Sequence, residues 1–538
     1  MTSNKIEKSE HLEEEPEKGN IEYKLKLKNP DSKRFEHLVS QMKFRLQEGQ
    51  GEAIYEIGIE DNGYPRGLTK KEMASSLNTL KKMAKQLKAE INVIRKREGE
   101  SGTVAEVLVR KLAEEDYIDI RIAVAGNVDC GKSTLIGVLT RGELDNGRGL
   151  ARVKVFRHKH EVESGRTSSI SQQILGFNGK GNIVNYSMLT EPQWTRIIER
   201  SSKVLTFIDL GGHEKYLKTT LFGLTGHVPD YVLLVVGANM GIVGMTKEHL
   251  GIALALKVPI IVVITKIDIC PEHILEQTIE NLNKMLKLPG SNKIPIIVRN
   301  IDDAIVSAKN ITSRRIAPIF LVSNVTGENL DLLKSFLNIL PPNKNWDLYI
   351  DKPVEFHIDE TFSVTGVGTV VAGTLISGTV SLDEILYLGP DKQGNFRQVK
   401  VKSIHNKRVP VRRVIAGQTA TFALRKVPRS SIRKGMVLLD LNTKPKAAWE
   451  FEAEILVLYH STTIQENYQS VVHCGTIRQT AKIIELNKDV IRTGDKAIAK
   501  FRFLYNPEFI KKGSRIIFRE GRTKGIGTIK KVSYIPKS

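Results

Sequence analysis

The chain has 538 residues, 41% of them hydrophobic, and sets 81 Lys and Arg against 60 Asp and Glu for a formal net charge of +21. That length suits roughly three or four domains, and the charge favours a polyanionic partner, RNA ahead of a membrane. Cys130, Cys270 and Cys474 lie too far apart for a disulfide scaffold or a zinc site, no apolar run reaches the roughly 18 residues of a membrane helix, and Glu13, Glu14, Glu15 and Glu17 argue against a presequence. A cytoplasmic protein with no membrane association is expected.

In chain order, residues 1–20 are polar and acidic and are expected to be a disordered tail. Residues 21–116 read as a small α/β domain. Tyr23–Leu27 alternates as a strand, and Phe35, Leu38, Met42 and Leu46 recur at helical spacing up to Gly49 and Gly51. Ala53–Ile59 is a second strand with a turn at Asn62–Pro65. Met73, Leu77, Leu80, Met83 and Leu87 mark a second helix, and further strands are expected at Ile91–Ile94 and Val104–Leu112. This domain shows no catalytic constellation.

A nucleotide-binding domain is expected over 117–345, centred on Gly126-Asn127-Val128-Asp129-Cys130-Gly131-Lys132-Ser133-Thr134. The stretch follows an alternating strand, Ile118, Ile120, Ile122 and Val124, and opens an apolar helix at Leu135–Leu139. Strand, glycine loop and helix are the setting in which this pattern binds polyphosphate, because free amides and the helix dipole face the anion. Gly126 and Gly131 let the loop curl, Lys132 should reach the β- and γ-phosphates, and Ser133 should hold Mg²⁺.

Four further segments follow. Val204–Ile208 ends in Asp209-Leu210-Gly211-Gly212-His213. Asp209 can hold Mg²⁺ through water, Gly212 can offer its amide to the γ-phosphate, and His213 stands where a residue must position the attacking water. After the apolar strand Tyr231–Val236, the strand Pro259–Ile264 ends in Thr265-Lys266-Ile267-Asp268. The Asp268 carboxylate can pair with the N1–H and amino group of guanine, which adenine cannot satisfy. Thr265 replaces the usual Asn, for which modestly altered affinity is expected. Ile319–Val322 leads to Ser323-Asn324-Val325, placed to close over the base. Between Gly142 and Ile170 lies a first switch segment rich in Arg, Lys and His, from which a hydroxyl should bind Mg²⁺ in the GTP state. The set describes a GTPase that uses GTP, GDP and Mg²⁺.

The rest of the chain reads as short alternating strands, which suggest two β-barrels over 346–445 and 446–538. Lys511, Lys512, Arg515, Arg519, Arg522, Lys524, Lys530 and Lys531 crowd the last strands, where they either contact RNA phosphate or form a solvated face. The fold class expected is a P-loop GTPase domain, a mostly parallel sheet with helices on both faces, between a small α/β domain and two β-barrels.

These motifs resemble the translational GTPases of the elongation factor Tu and elongation factor 1-alpha superfamily. Phe362–Val380 is similar to the start of their second domain, and Gly211 replaces the Pro of their Asp-x-Pro-Gly-His. More narrowly, Phe156–Ser169, Arg45–Asp61 and Phe518–Thr528 resemble the GTP-binding protein 1 and 2 family. The resemblance implies GTP hydrolysis with aminoacyl-tRNA and the ribosome as partners, a role in translation or in ribosome or mRNA quality control that admits mRNA-decay factors, and a monomer. It makes His213 the residue that ribosomal RNA drives into place, lets Asp129 hold a monovalent cation, and maps Ser169 most simply onto the switch magnesium ligand, with Thr167 as the alternative. Ser168 stands where the relatives carry Ile, so an apolar gate with Val128 is not implied. The competing reading is a GTP-switched RNA- or protein-binding module acting off the ribosome. A third, the GTPase subunit of a metabolic enzyme such as sulfate adenylyltransferase, is disfavoured by the N-terminal domain and Arg166.

Overall fold

The computed structural model describes residues 11–112, 117–156, 161, 167, 169–187, 193–288, 290–521 and 523–534. Arg166, Ser168 and Arg522 lie outside them, as do residues 1–10. The first domain is a four-stranded sheet in the order β1 (Ile21–Lys24), β2 (Glu52–Ile57), β4 (Thr103–Lys111), β3 (Ala89–Glu98). Helices α1 (Ser32–Glu48) and α2 (Lys70–Gln86) bury Met42, Leu46, Leu80 and Met83 against it. A capping box starts α2: Thr69 accepts from the Glu72 amide while Glu72 accepts from the Thr69 amide, so two otherwise orphaned donors are satisfied.

Residues 11–20, expected to be disordered, instead lie along this domain. Their carbonyls collect around one buried cation: Arg45 donates to Glu17 O and Gly19 O, and pairs with Glu15 and Glu22. A buried guanidinium needs its donors satisfied, and this acidic segment supplies the acceptors.

The central sheet has the order β10 (Ile294–Ile297), β11 (Ile316–Leu321), β9 (Ile260–Thr265), β8 (Tyr231–Gly237), β5 (Ile118–Gly126), β7 (Lys203–Asp209), β6 (Ser171–Phe177). Every pairing is parallel except that of the edge strand β6 with β7. Strand β5 explains the layering. Ile120, Ile122 and Val124 face one core, with Leu135 and Leu139 of helix α3 (Lys132–Arg141) and the helix Leu330–Ile339. Ala123 and Ala125 face the other, with the helices Leu217–Gly226, Gly244–Ala255 and Glu272–Lys287. Both faces being covered is why these strands are apolar throughout.

The second domain closes a ring of six strands in the order Glu355–Val364, Gly368–Ser377, Thr419–Leu424, Arg397–Asn406, Ile385–Gly389, Val437–Leu439. The third closes another, from Ala448–Tyr459 to Thr523–Tyr534. Ion pairs and hydrogen bonds dock the domains. Lys407 pairs with Asp119 at 2.8 Å, and Arg121 donates to Thr374 at 3.3 Å while facing the Trp346 ring. Arg433 Nη1 donates to both oxygens of Glu508 at 2.8 and 2.7 Å, joining the barrels. The first domain is held by Glu52, which accepts from Arg110 at 2.6 Å and from Lys203 of the central domain at 3.2 and 3.3 Å. All three side chains are buried.

The C-terminal basic residues are mostly engaged within the chain. Arg519 and Lys524 pair with Glu248, Lys511 with Glu355, Lys530 with Glu454, and Lys531 with Glu452. Arg515 donates to the Ala255 carbonyl. The exposed Lys530 and Lys531 pairs contribute little, but the first two sets tie the third domain to its neighbours.

Candidate active site

Strand β5 ends at Gly126, whose φ of +147° turns the chain away from the sheet. A Cβ there would collide with the Val235 carbonyl oxygen. Asp129 and Gly131 are also left-handed, at +58° and +86°, and α3 begins at Lys132. The amides of the first turn of α3 therefore lack intrahelical partners and face the cleft. Val128, Asp129, Gly131, Lys132, Ser133, Thr134, Thr167, Gly212 and His213 line it, and so does Arg152.

Lys132 is folded back, its Nζ donating to Asn127 O at 2.6 Å. The Ser133 hydroxyl donates to Asp209 Oδ2 at 2.6 Å and lies 2.9 Å from Thr167 Oγ1, which is itself 3.3 Å from the same carboxylate oxygen. Asp209 Oδ1 is buried with no hydrogen-bond partner among the described residues. Burial pushes the Asp209 carboxyl up against the opposing pull of Lys132 and of the Ser133 and Thr167 hydroxyls. Gly212 touches the loop so closely that a Cβ would lie 2.5 Å from Lys132 Nζ and 2.6 Å from Asn127 C. Gly211 leaves room for the Thr167 carbonyl, which a Cβ would meet at 3.3 Å. His213 is exposed at the mouth, where its Nδ1 accepts from the Lys215 amide.

The expectation for Ser169 does not match its position. Its amide and hydroxyl both bond Glu161 Oε1, at 3.0 and 3.1 Å, and Thr167 is the switch hydroxyl that reaches Ser133 and Asp209. The resemblance maps Ser169 most simply onto that role because the sequence does not show that Glu161 claims this side chain.

The segments expected to read the base adjoin the loop. Thr265 is fully buried and donates to Cys130 O at 2.6 Å, so its hydroxyl braces the phosphate loop. Lys266 is left-handed at φ +63°, and Asp268 is exposed with no partner among the described residues. Ser323 Oγ accepts from the Val325 and Thr326 amides, and buried Asn324 presses toward Gly131. Cys130 is buried, its thiol donating to Asn127 O at 3.0 Å and its carbonyl accepting from Thr265, so side chain and backbone both brace the loop.

Two residues that shape the site fall outside the sequence expectations, His249 and Asp145. His249 is fully buried in the helix Gly244–Ala255, and its Nδ1 accepts from the Gly126 amide at 3.0 Å. Burial and the nearby Lys132 drive its pKa down to about 3, which keeps Nδ1 an acceptor. Asp145 caps the segment that carries Arg152. No motif spacing signals either: His249 acts across the fold, and Asp145 acts on the amides of its own loop.

Residues 119–342 match the family model described as Elongation factor Tu GTP binding domain, 368–439 that of Elongation factor Tu domain 2, and 444–533 that of Elongation factor Tu C-terminal domain. The chain is 55% identical over 512 residues to GTP-binding protein 1 of Xenopus laevis, covering 95% of this chain and 78% of that protein. It is 52% identical over 536 residues to GTP-binding protein 2 of Homo sapiens, covering 98% and 89%. A bacterial selenocysteine-specific elongation factor shares the fold at a TM-score of 0.56 and 22% identity, over 76% of this chain and 58% of that one.

Proposed function

The chain belongs to the GTP-binding protein 1 and 2 family of elongation factor Tu-like GTP hydrolases, and from that premise we propose that it works on RNA, engaging aminoacyl-tRNA and the ribosome in the cytoplasm. The observation that carries the switch is the meeting of Ser133, Thr167 and Asp209, with Ser133 and Thr167 lining the same cleft as Gly212. A γ-phosphate held between the segments carrying Thr167 and Gly212 would bind both, so its loss would release both.

The orphaned Asp209 oxygen and the two converging hydroxyls fit Mg²⁺: Ser133 and Thr167 would hold it, with Asp209 bound directly or through water. When bound, the ion neutralises charge on the β- and γ-phosphate oxygens. Lys132 exchanges Asn127 O for phosphate oxygens, the α3 amides hold the β-phosphate, and Gly212 donates its amide to the γ-phosphate. His213, with no hydrogen bond at Nε2 among the described residues, orients the attacking water once it swings inward. Asp268 selects guanine.

The RNA part of the reading is supported by a groove of about 730 Å³ on the second domain, lined by Lys400, Lys402, Arg425, Lys426 and Arg429. Lys400 pairs with Asp383, whereas the other four have no acidic partner among the described residues. Unpaired cations around a groove are a phosphate-binding surface.

The test is GTP turnover with and without ribosomes, each with and without aminoacyl-tRNA, and with ATP as control. Stimulation by ribosomes is expected, greatest with aminoacyl-tRNA. Unstimulated turnover together with GTP-dependent binding to another RNA or protein would favour the off-ribosome module.

A further inference from the structure

Arg152 stands in the phosphate cleft without an assigned task. It shares that lining with Lys132, Thr167, Gly212 and His213, the groups proposed above to act at the γ-phosphate. Its side chain is half-buried, and its guanidinium has no hydrogen bond or ion pair among the described residues. A partly desolvated cation beside an anion site, with no carboxylate to neutralise it, is complementary to added negative charge.

The backbone that presents it is fixed from several sides. Asp145 is buried, and its carboxylate accepts from the amides of Gly147, Gly149 and Ala151 at 3.0, 3.1 and 2.9 Å. The Asp145 amide donates to Asn324 O at 2.9 Å, which ties the segment to the base loop. On the other flank Ala151 lies so close to α3 that a Cβ at Gly137 would collide with its carbonyl oxygen. Ala151 and Val155 are embedded in the core, and the Arg152 carbonyl accepts from the Val155 amide at 3.0 Å. The side chain runs over Gly149, where a Cβ would meet Cζ at 2.8 Å. A long flexible side chain is thus mounted on a rigid platform.

We propose that Arg152 is an arginine supplied in cis that contacts the γ-phosphate and stabilises the transition state of hydrolysis. This rests on the chain being a GTP hydrolase and adds a residue to its machinery. In the step it assists, the water oxygen bonds to the γ-phosphorus while the bond to the β–γ bridging oxygen breaks. The electron pair leaves on GDP, and the water's proton passes to the released phosphate. Arg152 alters none of this balance. It neutralises charge that grows on the bridging and γ-oxygens, so its contribution exceeds what it adds to ground-state binding.

The test uses the full chain with Arg152→Ala, Arg152→Gln and Arg152→Lys, each checked by thermal melting. Three quantities are read: single-turnover GTP hydrolysis, affinity for GDP, and affinity for GDP with aluminium fluoride, which mimics the transition state. Arginines in this role are worth about 10³ to 10⁵ in rate elsewhere. We expect the Ala and Gln variants to lose at least about 10²-fold in hydrolysis and to lose aluminium fluoride-dependent affinity, with GDP affinity retained and Lys partly rescuing. Wild-type hydrolysis in the variants would overturn the proposal. So would a parallel loss of GDP affinity with full rate at saturating nucleotide, which makes Arg152 a ground-state contact. If wild type itself does not hydrolyse GTP, the hydrolase reading fails separately, and unchanged aluminium fluoride affinity in Arg152→Ala would still overturn the role of Arg152. Should Ala unfold the segment, the Gln and Lys variants carry the comparison.

Discussion

Replacing Glu52 by Gln should loosen the first domain from the central one. Glu52 accepts from Arg110 and from Lys203, and all three side chains are buried. Removing one member of a buried ion pair costs about 3–5 kcal/mol, because the remaining charge stays out of water. Here the two cations keep other acceptors. Arg110 retains Asn178 O and both oxygens of Asn338, and Lys203 retains the carbonyls of Asn338 and Leu340. The low end, about 3 kcal/mol, is therefore expected, or roughly a hundredfold in the docking equilibrium. Hydrogen exchange at β2, β4 and Asn338–Leu340 should accelerate by that factor, while GTP affinity stays at the wild-type level.

The pH dependence adds a second signature. Burial lowers the Lys203 pKa to about 7 against the attraction of Glu52. Between about pH 7 and its unfolded value near 10.4 the unfolded chain holds one proton more, so Lys203 makes stability rise with pH across that window. Without the Glu52 charge the folded pKa falls further, and the rise should begin at lower pH. Wild-type exchange rates in Glu52→Gln, with an unshifted stability–pH curve, would refute the reasoning.

Thr167→Ala should raise the Mg²⁺ concentration needed for GTP hydrolysis by at least about tenfold, as expected for loss of an oxygen ligand, while Ser169→Ala leaves it unchanged; the reverse order in a Mg²⁺ titration would restore Ser169 as the switch ligand. His213→Ala should retain GTP binding and lose about 10²-fold or more of stimulated hydrolysis, and normal ribosome-stimulated turnover would remove the residue from the mechanism. Asp268→Asn should shift preference from guanine to xanthine nucleotides in competition binding, and unchanged selectivity would refute the assignment of base reading to that carboxylate.

What could be read from the sequence was whatever is local or periodic. The phosphate loop was visible because Gly126, Gly131, Lys132 and Ser133 act within one turn of chain, and β5 because its alternation spans seven residues from Ile118 to Val124. The two barrels followed from regular short strands. The misreadings share a different cause. Charge is visible in a sequence but its partner is not: the basic C-terminal strands admitted both an RNA contact and a solvated face, and the structure instead pairs Arg519 and Lys524 with Glu248 and Lys511 with Glu355 of other domains. Likewise the acidic stretch 11–20 looked disordered because Arg45, which gathers its carbonyls, lies in a helix beyond it. Ser169 and Thr167 are two residues apart, and only Glu161 separates their duties.

The helix Gly244–Ala255 carries Glu248 and His249 side by side. Glu248 is gripped by Arg519 and Lys524 of the third domain, at 3.1 and 2.5 Å, and His249 accepts the amide of Gly126. Consecutive residues on a helix point about 100° apart, so one rigid strut is clamped at the outer barrel and at the root of the phosphate loop. A barrel that lifts away leaves Glu248 bare and loosens the strut that aims His249. Distance from the nucleotide is therefore a poor guide to independence in this molecule: the far barrel and the loop share a single backbone step.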